Sequence, residues 1–332
     1  MTTAPNPRAR ETPTDPEVLL VGEALVDIVH RADGTHDESP GGSPANVALA
    51  LGRLGRSPRL LTSLGDDERG RTVREWLAAS GVAVLGSAGA RTATATALLD
   101  ETGAATYEFD LVWNFDAADA GRPDVLHAGS IGAFLAPGAD ELSRLVDAMR
   151  GRALIGYDPN IRPALIGGAD AEAGAVRERV RSLIARSDVV KASDEDIAWL
   201  HPGEDPVAVA HRWAAAGPAL VVVTRGAEGV VAVRGGAGAG APAGRTELTV
   251  AGVPVDVVDT VGAGDTFMGA LLDGLLSAGA YGAEARAALG ALRDAELGVL
   301  LERSAQAAAI TVSRAGANPP TLAELDAARR SL

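Results

Sequence analysis

Short apolar runs alternate along this chain with longer stretches whose apolar positions recur every third or fourth residue. The runs at 18–21, 59–62, 125–128, 153–158, 189–191, 219–224 and 230–233 read as buried strands. The stretches 44–54, 68–79, 139–149, 173–185 and 206–215 read as helices. Strands and helices taking turns imply parallel strands joined by crossovers, hence an α/β fold with a mostly parallel central sheet and helices on both faces. Residues 91–99 and 105–112 break this rhythm as two Thr-rich apolar runs around Asp100-Glu101-Thr102-Gly103, the pattern of a β-hairpin. Open α/β sheets bind ligands beyond the carboxyl ends of their strands. Polar segments follow strands at 158–162, 191–196, 224–229 and 259–265, so candidate chemistry collects along one edge of the sheet.

The segment 255–267, VDVVDTVGAGDTF, carries the most chemistry. Val255, Val257 and Val258 read as the end of a buried strand, and Phe267, Leu271 and Leu275 as one helical face. Between them Gly262, Ala263 and Gly264 turn the chain. Glycine opens backbone regions closed to other residues, so successive N–H groups can converge on one anion, and the helix start adds open donors. Asp265 then holds a carboxylate beside a place built for negative charge, which suits a base in phosphoryl transfer. The same residues also read as a plain turn with Asp265 as a helix cap.

Two further segments bear on that choice. In 40–55, PGGSPANVALALGRLG, Gly41 and Gly42 turn the chain, Pro44 suits a first helical position and Gly55 a helix stop. The bare backbone at Gly42 and the amide of Asn46 suit a polyhydroxylated ligand, or else only connect a strand to a helix. In 19–28, LLVGEALVDI, one apolar strand carries Asp27 near its end. That carboxylate can accept from two neighbouring hydroxyls, or simply face a loop.

Composition narrows the function classes. The 332 residues carry a formal charge of −14, which argues against nucleic acid or an anionic membrane as the main partner. Without cysteine there are no disulfides, thiolate nucleophiles or cysteine zinc sites, and the five histidines form no metal-ligand spacing. No run resembles a signal peptide or is long and clean enough to cross a bilayer, so a cytoplasmic protein is expected. Residues 1–16, rich in Pro, Thr and Arg, read as a disordered tail, and 235–244, GGAGAGAPAG, as a flexible surface loop. Lys191 is the single lysine among thirty cationic residues. Its place in KASDED invites a specific role, although biased base composition explains the scarcity equally well.

Taken together, the Asp27 strand, the Gly41-Gly42 helix start, LGDDERG (64–70), YDPNIRP (157–163), KASDEDIAWL (191–200), VTRGAEG (223–229) and DTVGAGDTF (259–267) resemble the ribokinase-like, or PfkB, family of carbohydrate kinases. The likeness runs from about 18 to 320 with its pieces in family order, and PGGSPANVA, DPNIRP and KASDED look most like the fructokinase branch. It implies a single ribokinase-like domain at 17–322 with a small β-rich lid from about 29–40 and 91–113, and a tail or short helix at 323–332. It also implies transfer of the ATP γ-phosphoryl group to a primary hydroxyl of a monosaccharide, fructose before others. Asp265 would be the base and the N–H groups of Gly262, Ala263 and Gly264 the phosphoryl cradle; Asp27, Gly42 and Asn46 would hold the sugar. Arg162 and Lys191 would lie near the phosphates, while Thr224, Gly226 and Gly229 border the nucleotide. Asp194 or Glu195 would organise Mg2+ through water, and Asp259 would belong to a monovalent-cation loop, K+ in some relatives, with carbonyls from around 314–316.

Some details depart from that pattern or stay open. Many relatives carry asparagine where this chain has Lys191, which keeps phosphate attraction and loses an acceptor. Arg162 reads equally as the partner of a structural carboxylate. Tyr107, Phe109 and Trp113 line the lid, pack in the core or meet a second copy, since relatives are often dimers through the lid. An acid sugar such as 2-keto-3-deoxygluconate would need its own cation, and the lid region offers only Arg91. A sugar sensor that has lost catalysis is a further reading, against which the intact Asp265 turn speaks. A nicotinamide-dependent oxidoreductase would need a glycine fingerprint after the first strand, and Gly41-Gly42 does not supply it.

Overall fold

The computed structural model describes residues 15–86, 88–100, 105–166, 170–235 and 247–330. From its start, β1 (Val18–Val21) enters the middle of a large sheet, and β2 (Leu25–His30) and β3 (His36–Gly41) form a hairpin outside it. Helix α1 (Ser43–Arg53) leads to β4 (Arg59–Leu61), β5 (Leu64–Gly65), α2 (Glu68–Ala78), β6 (Ala83–Leu85) and β7 (Ala88–Gly89). A second hairpin follows, β8 (Ala93–Leu99) and β9 (Ala105–Asp110). Crossover units then run through β10 (Val125–Gly129), α3 (Gly138–Met149), β11 (Leu154–Asp158), α4 (Asp170–Arg186), β12 (Val189–Ser193), α5 (Asp194–Leu200), α6 (Pro206–Ala216) and β13 (Leu220–Thr224). After β14 (Val230–Arg234) and β15 (Glu247–Val250), helices α7 (Ala263–Ser277), α8 (Ala285–Ala291), α9 (Asp294–Val312) and α10 (Leu322–Arg330) end the described chain.

The large sheet has the order β15-β14-β13-β12-β11-β10-β1-β4-β6 and is parallel from β13 to β6. Alternate strand residues enter opposite layers. Leu20, Leu60 and Val222 pack with α1, α7 and α9, whereas Leu19, Leu61 and Val221 pack with α3, α4 and α6. From β1 the chain steps one way to β4 and later the other way to β10, which opens a crevice at the carboxyl ends of β1 and β10. The α/β architecture with helices on both faces is the one expected. The loop expected at 235–244 falls almost wholly outside the described residues, as does nearly all of the expected N-terminal tail.

Two expectations need correction. The run 19–28 is not one strand: β1 stays in the large sheet and β2 belongs to a four-stranded sheet of order β3-β2-β8-β9. Gly22 makes the break, at φ 156 and so close to the first turn of α1 that a Cβ would meet Pro44 Cγ at 2.4 Å. Nor do Val255, Val257 and Val258 end a buried strand. They are exposed, and the N–H groups of Val258 and Asp259 instead bond to the Val312 carbonyl at the end of α9. Trp113 takes one of its expected alternatives, the core: its ring is buried against Phe115 and its indole N–H donates to Gly132 O at 2.9 Å.

The small sheet is rooted on Leu25 and Ala93, which pack against Ile131. Asp27, Ala95 and Phe109 lie in one lateral row, so Asp27 and the half-buried Phe109 share a face. No helix among the described residues is long and apolar enough to cross a membrane. The backbone at Gly22 makes a direct test possible. Gly22→Ala should lower unfolding free energy by about 2 kcal/mol or more in urea titrations, through strain and overpacking together; an unchanged midpoint would show that the chain does not depend on this close approach.

Candidate active site

Gly262 caps α7 in the left-handed region, φ 75, and a Cβ there would meet Ala317 Cβ at 2.7 Å, so both conformation and space call for glycine. Ala263 N–H turns back to Thr260 O at 3.3 Å, whereas the N–H groups of Gly262 and Gly264 make no hydrogen bond among the described residues. The expected cradle of three donors is therefore two open donors and one drawn aside. Together with the positive end of α7, they form an arrangement suited to an anion.

Asp265 lies in the first turn of α7, buried and held from three sides. Ser43 Oγ donates to its Oδ1 at 2.6 Å, Asn46 Nδ2 to its Oδ2 at 2.8 Å, and Asn160 Nδ2 reaches Oδ1 at 3.4 Å. Ser43 and Asn46 come from the first turn of α1, and Asn160 from the loop after β11, where it adopts φ 39. Asn160 Oδ1 in turn accepts from Arg162 Nη1 at 2.6 Å. Arg162 makes no ion pair among the described residues, so its expected alternative role with a structural carboxylate is not what the fold uses.

The Gly41-Gly42 pair answers to two different crowdings. A Cβ at Gly41 would strike Asp27 Oδ2, and one at Gly42, φ 103, would come within 2.5 Å of Glu23 O. Asp27 is lifted to about 6 by burial, opposed by the Arg162 charge. Glu23, just beyond β1, is lifted further, to about 7, by burial that outweighs hydrogen bonds from Gly132 and Ser130 and the field of Arg162. Its Oε2 accepts from Gly132 N at 2.8 Å, pinning a turn in which Ser130 has φ 53. Asn46 keeps one buried atom, Oδ1, without a partner among the described residues.

On the other side of Asp265 the lone lysine is buried. Lys191 Nζ donates to Asp158 Oδ2 at 2.8 Å, a pairing set by adjacent positions on β11 and β12. Burial alone would discharge Lys191, but Asp158, Asp196 and Asp265 outweigh it and hold the ammonium above its ordinary pKa. Nζ lies directly against Gly264, where a Cβ would meet it at 2.7 Å, so the charge sits behind the turn rather than open to solvent. Asp196 is fully engaged, accepting from Ile161 N, Ser193 N and Ser193 Oγ. Asp194 is partly exposed and Glu195 exposed at the start of α5. Gly229 is required by the approach of Val250 O, whereas a Cβ at Gly226 would meet nothing; Thr224 ends β13 beside them. Asp259 ties two backbone groups, Val261 N at 3.0 Å and Gly316 N at 2.8 Å, which joins its loop to the 314–316 segment.

The sequence profile described as "pfkB family carbohydrate kinase" matches residues 15–324. The chain belongs to this family. This pfkB-family kinase is 36% identical over 280 residues to a fructokinase of Rhizobium leguminosarum bv. trifolii, covering 78% of this chain and 79% of that one. It is 32% identical over 275 residues to a fructokinase of Klebsiella pneumoniae, covering 79% and 85%. The crystal structure of a fructokinase with bound ATP from Xylella fastidiosa matches with a TM-score of 0.80 at 25% identity, covering 96% of this chain and all of that chain, 100%. The resemblance drawn from the motifs is borne out, as is the fold.

The geometry also brings in residues that the motifs did not single out: Ser43, Asn160, Asp158 and Glu23. Ser43 and Glu23 were visible as polar residues inside apolar runs, but nothing local separates such a residue from a cap or a strand end. Glu23 has a measurable signature in this kinase. Its raised pKa means the folded chain keeps a proton that the unfolded chain releases, so its contribution to stability falls as pH rises from 4.5 to about 7. Relative to wild type, Glu23→Gln should gain roughly 3 kcal/mol in denaturant unfolding between about pH 5 and about pH 8. A difference that stays constant over that window would contradict a buried, protonated Glu23.

Proposed function

We propose that this kinase transfers the γ-phosphoryl group of ATP to the primary hydroxyl of a monosaccharide, with fructose as substrate and fructose 6-phosphate as product. The observation that carries the reading is Asp265, buried and aimed by Ser43 and Asn46 beside the open N–H groups of Gly262 and Gly264. In the reaction the sugar oxygen forms its bond to the γ-phosphorus as the bond to the departing ADP oxygen breaks, and the hydroxyl proton passes to Asp265. Gly262 and Gly264 stabilise charge on the transferred oxygens, with the α7 dipole and Lys191 behind them. Asp27, Asn46 and the bare backbone at Gly42 hold sugar hydroxyls, and Arg162 meets phosphate or sugar from the rim. Val255, Val257, Val258 and Val261 offer exposed apolar surface just before the phosphate turn, which suits the face of a purine. Thr224, Gly226 and Gly229 lie along the nucleotide.

Magnesium fits this arrangement in one way. No cluster of three or more acidic or histidine ligands exists among the described residues, and Asp196 is spent on backbone, which leaves the solvent-facing Asp194 and Glu195 to hold a hydrated ion. Magnesium supplies charge neutralisation on phosphate oxygens. Potassium would rest on backbone carbonyls near 314–316, because both oxygens of Asp259 already accept N–H bonds and so shape the loop instead.

A neutral sugar is favoured by the two carboxyls Asp27 and Glu23 and by Arg91, whose guanidinium is taken up by Asp110. One observation favours an acid sugar such as 2-keto-3-deoxygluconate: Arg162 has no carboxylate partner among the described residues. A panel of neutral and acidic sugars and nucleosides with ADP release as readout separates the two. Fructose should give the highest kcat/KM, and preference for an acid sugar would overturn that choice. Asp265→Asn should lose ~10³-fold in kcat with sugar KM changed less than about fivefold. Undiminished turnover in that variant would remove the base from the mechanism.

A further inference from the structure

A carboxylate that takes a proton needs one oxygen free and the other held, because the aspartate χ2 torsion is broad and does not fix the plane by itself. Here both oxygens of Asp265 are occupied, Oδ1 by Ser43 and Asn160 and Oδ2 by Asn46. We infer that Ser43 is a positioning residue: its hydroxyl is the fixed half of a clamp on Asp265, and the Asn46 amide is the half that sugar displaces. The inference rests on the reading of Asp265 as the base.

The two halves differ in ways the coordinates show. Asn46 is only half satisfied, since its Oδ1 is buried with no partner. A sugar hydroxyl donating to that oxygen draws the amide toward the ligand and frees Oδ2 for the reacting proton. Ser43 has no such pull. Its side chain is buried, it gives its one proton to Oδ1 at the short distance of a charge-assisted bond, and Pro44 fixes the first turn of α1 directly after it. Asn160 is no substitute, because it reaches Oδ1 only at 3.4 Å while its own oxygen is engaged by Arg162. Without Ser43 the carboxylate turns about its own bond, and Oδ2 leaves the line to the sugar hydroxyl.

The test is the kinetics of Ser43→Ala, with Asp265→Asn and the double variant alongside, measured as sugar-dependent ADP release at saturating ATP and high enzyme concentration. Expected is a loss of ~10- to 100-fold in kcat with sugar KM within about threefold of wild type, the signature of misalignment rather than weakened binding. In the Asp265→Asn background, Ser43→Ala should cost nothing further, because the group it aims is gone. Unchanged kcat, a rise in KM alone, or the same fractional loss in both backgrounds would each overturn the role. Thermal unfolding of Ser43→Ala within a few degrees of wild type excludes a folding defect; a larger drop assigns Ser43 to the fold instead. If wild type releases no ADP with any sugar, the kinase reading fails and this role with it, whereas an active wild type matched by Ser43→Ala sinks the role alone.

Discussion

The close approach of α1 and α7 is the constraint from which the rest of the site follows. Gly269 lies so near α1 that a Cβ would meet Ala50 Cβ at 2.7 Å, and the two helices bury a shared apolar seam that includes Val47, Leu51, Phe267 and Leu271. Packed at this distance, their first turns meet at the mouth of the crevice. One brings the Asp265 carboxylate and the open N–H groups, and the other brings the hydroxyl and amide that bond to that carboxylate. A buried carboxylate that makes no ion pair among the described residues is costly, and here hydrogen bonds from one helix and a loop offset that cost. Helix packing and chemistry are thus one arrangement seen at two depths.

Charge is distributed to match. The crevice holds Glu23 and Asp27 on one side of Asp265, and the Lys191–Asp158 pair on the other. Burial keeps the first two partly protonated near neutral pH, which lessens the uncompensated charge in the crevice. The lysine does the opposite work, holding positive charge behind a turn whose Gly262 and Gly264 have no room for a Cβ. In a strongly acidic protein, −14 overall, the single lysine is thus placed among carboxylates that keep it charged.

How much of this was legible in the sequence differs residue by residue. The turn at Gly262–Gly264 and Asp265 could be read because it stands in family order with six other motifs, and the same holds for Gly41-Gly42, whereas either alone would pass for a plain turn. The split of 19–28 was hidden, since one glycine inside an apolar run looks like any strand glycine until the approach of Pro44 is seen. The valines at 255–258 misled for a related reason: an apolar run has the same letters whether it faces a core or the surface. Lys191 stood out by rarity, but its partner depends on the register of β11 against β12, and the Ser43–Asp265 contact joins residues 222 positions apart. Local pattern carries no trace of such distances.

The departure of β2 from β1 at Gly22 has a mechanical side. The root of the small sheet is fastened at several points: Ala24 N to Thr62 Oγ1, Glu23 Oε2 to Gly132 N, and Thr92 to Asp67 by both its N–H and its hydroxyl. A plate clamped along one edge bends as a cantilever, with displacement growing toward its free rim. Asp27 sits closer to the clamp than Tyr107, so any swing that admits or releases a ligand moves the first less than the second.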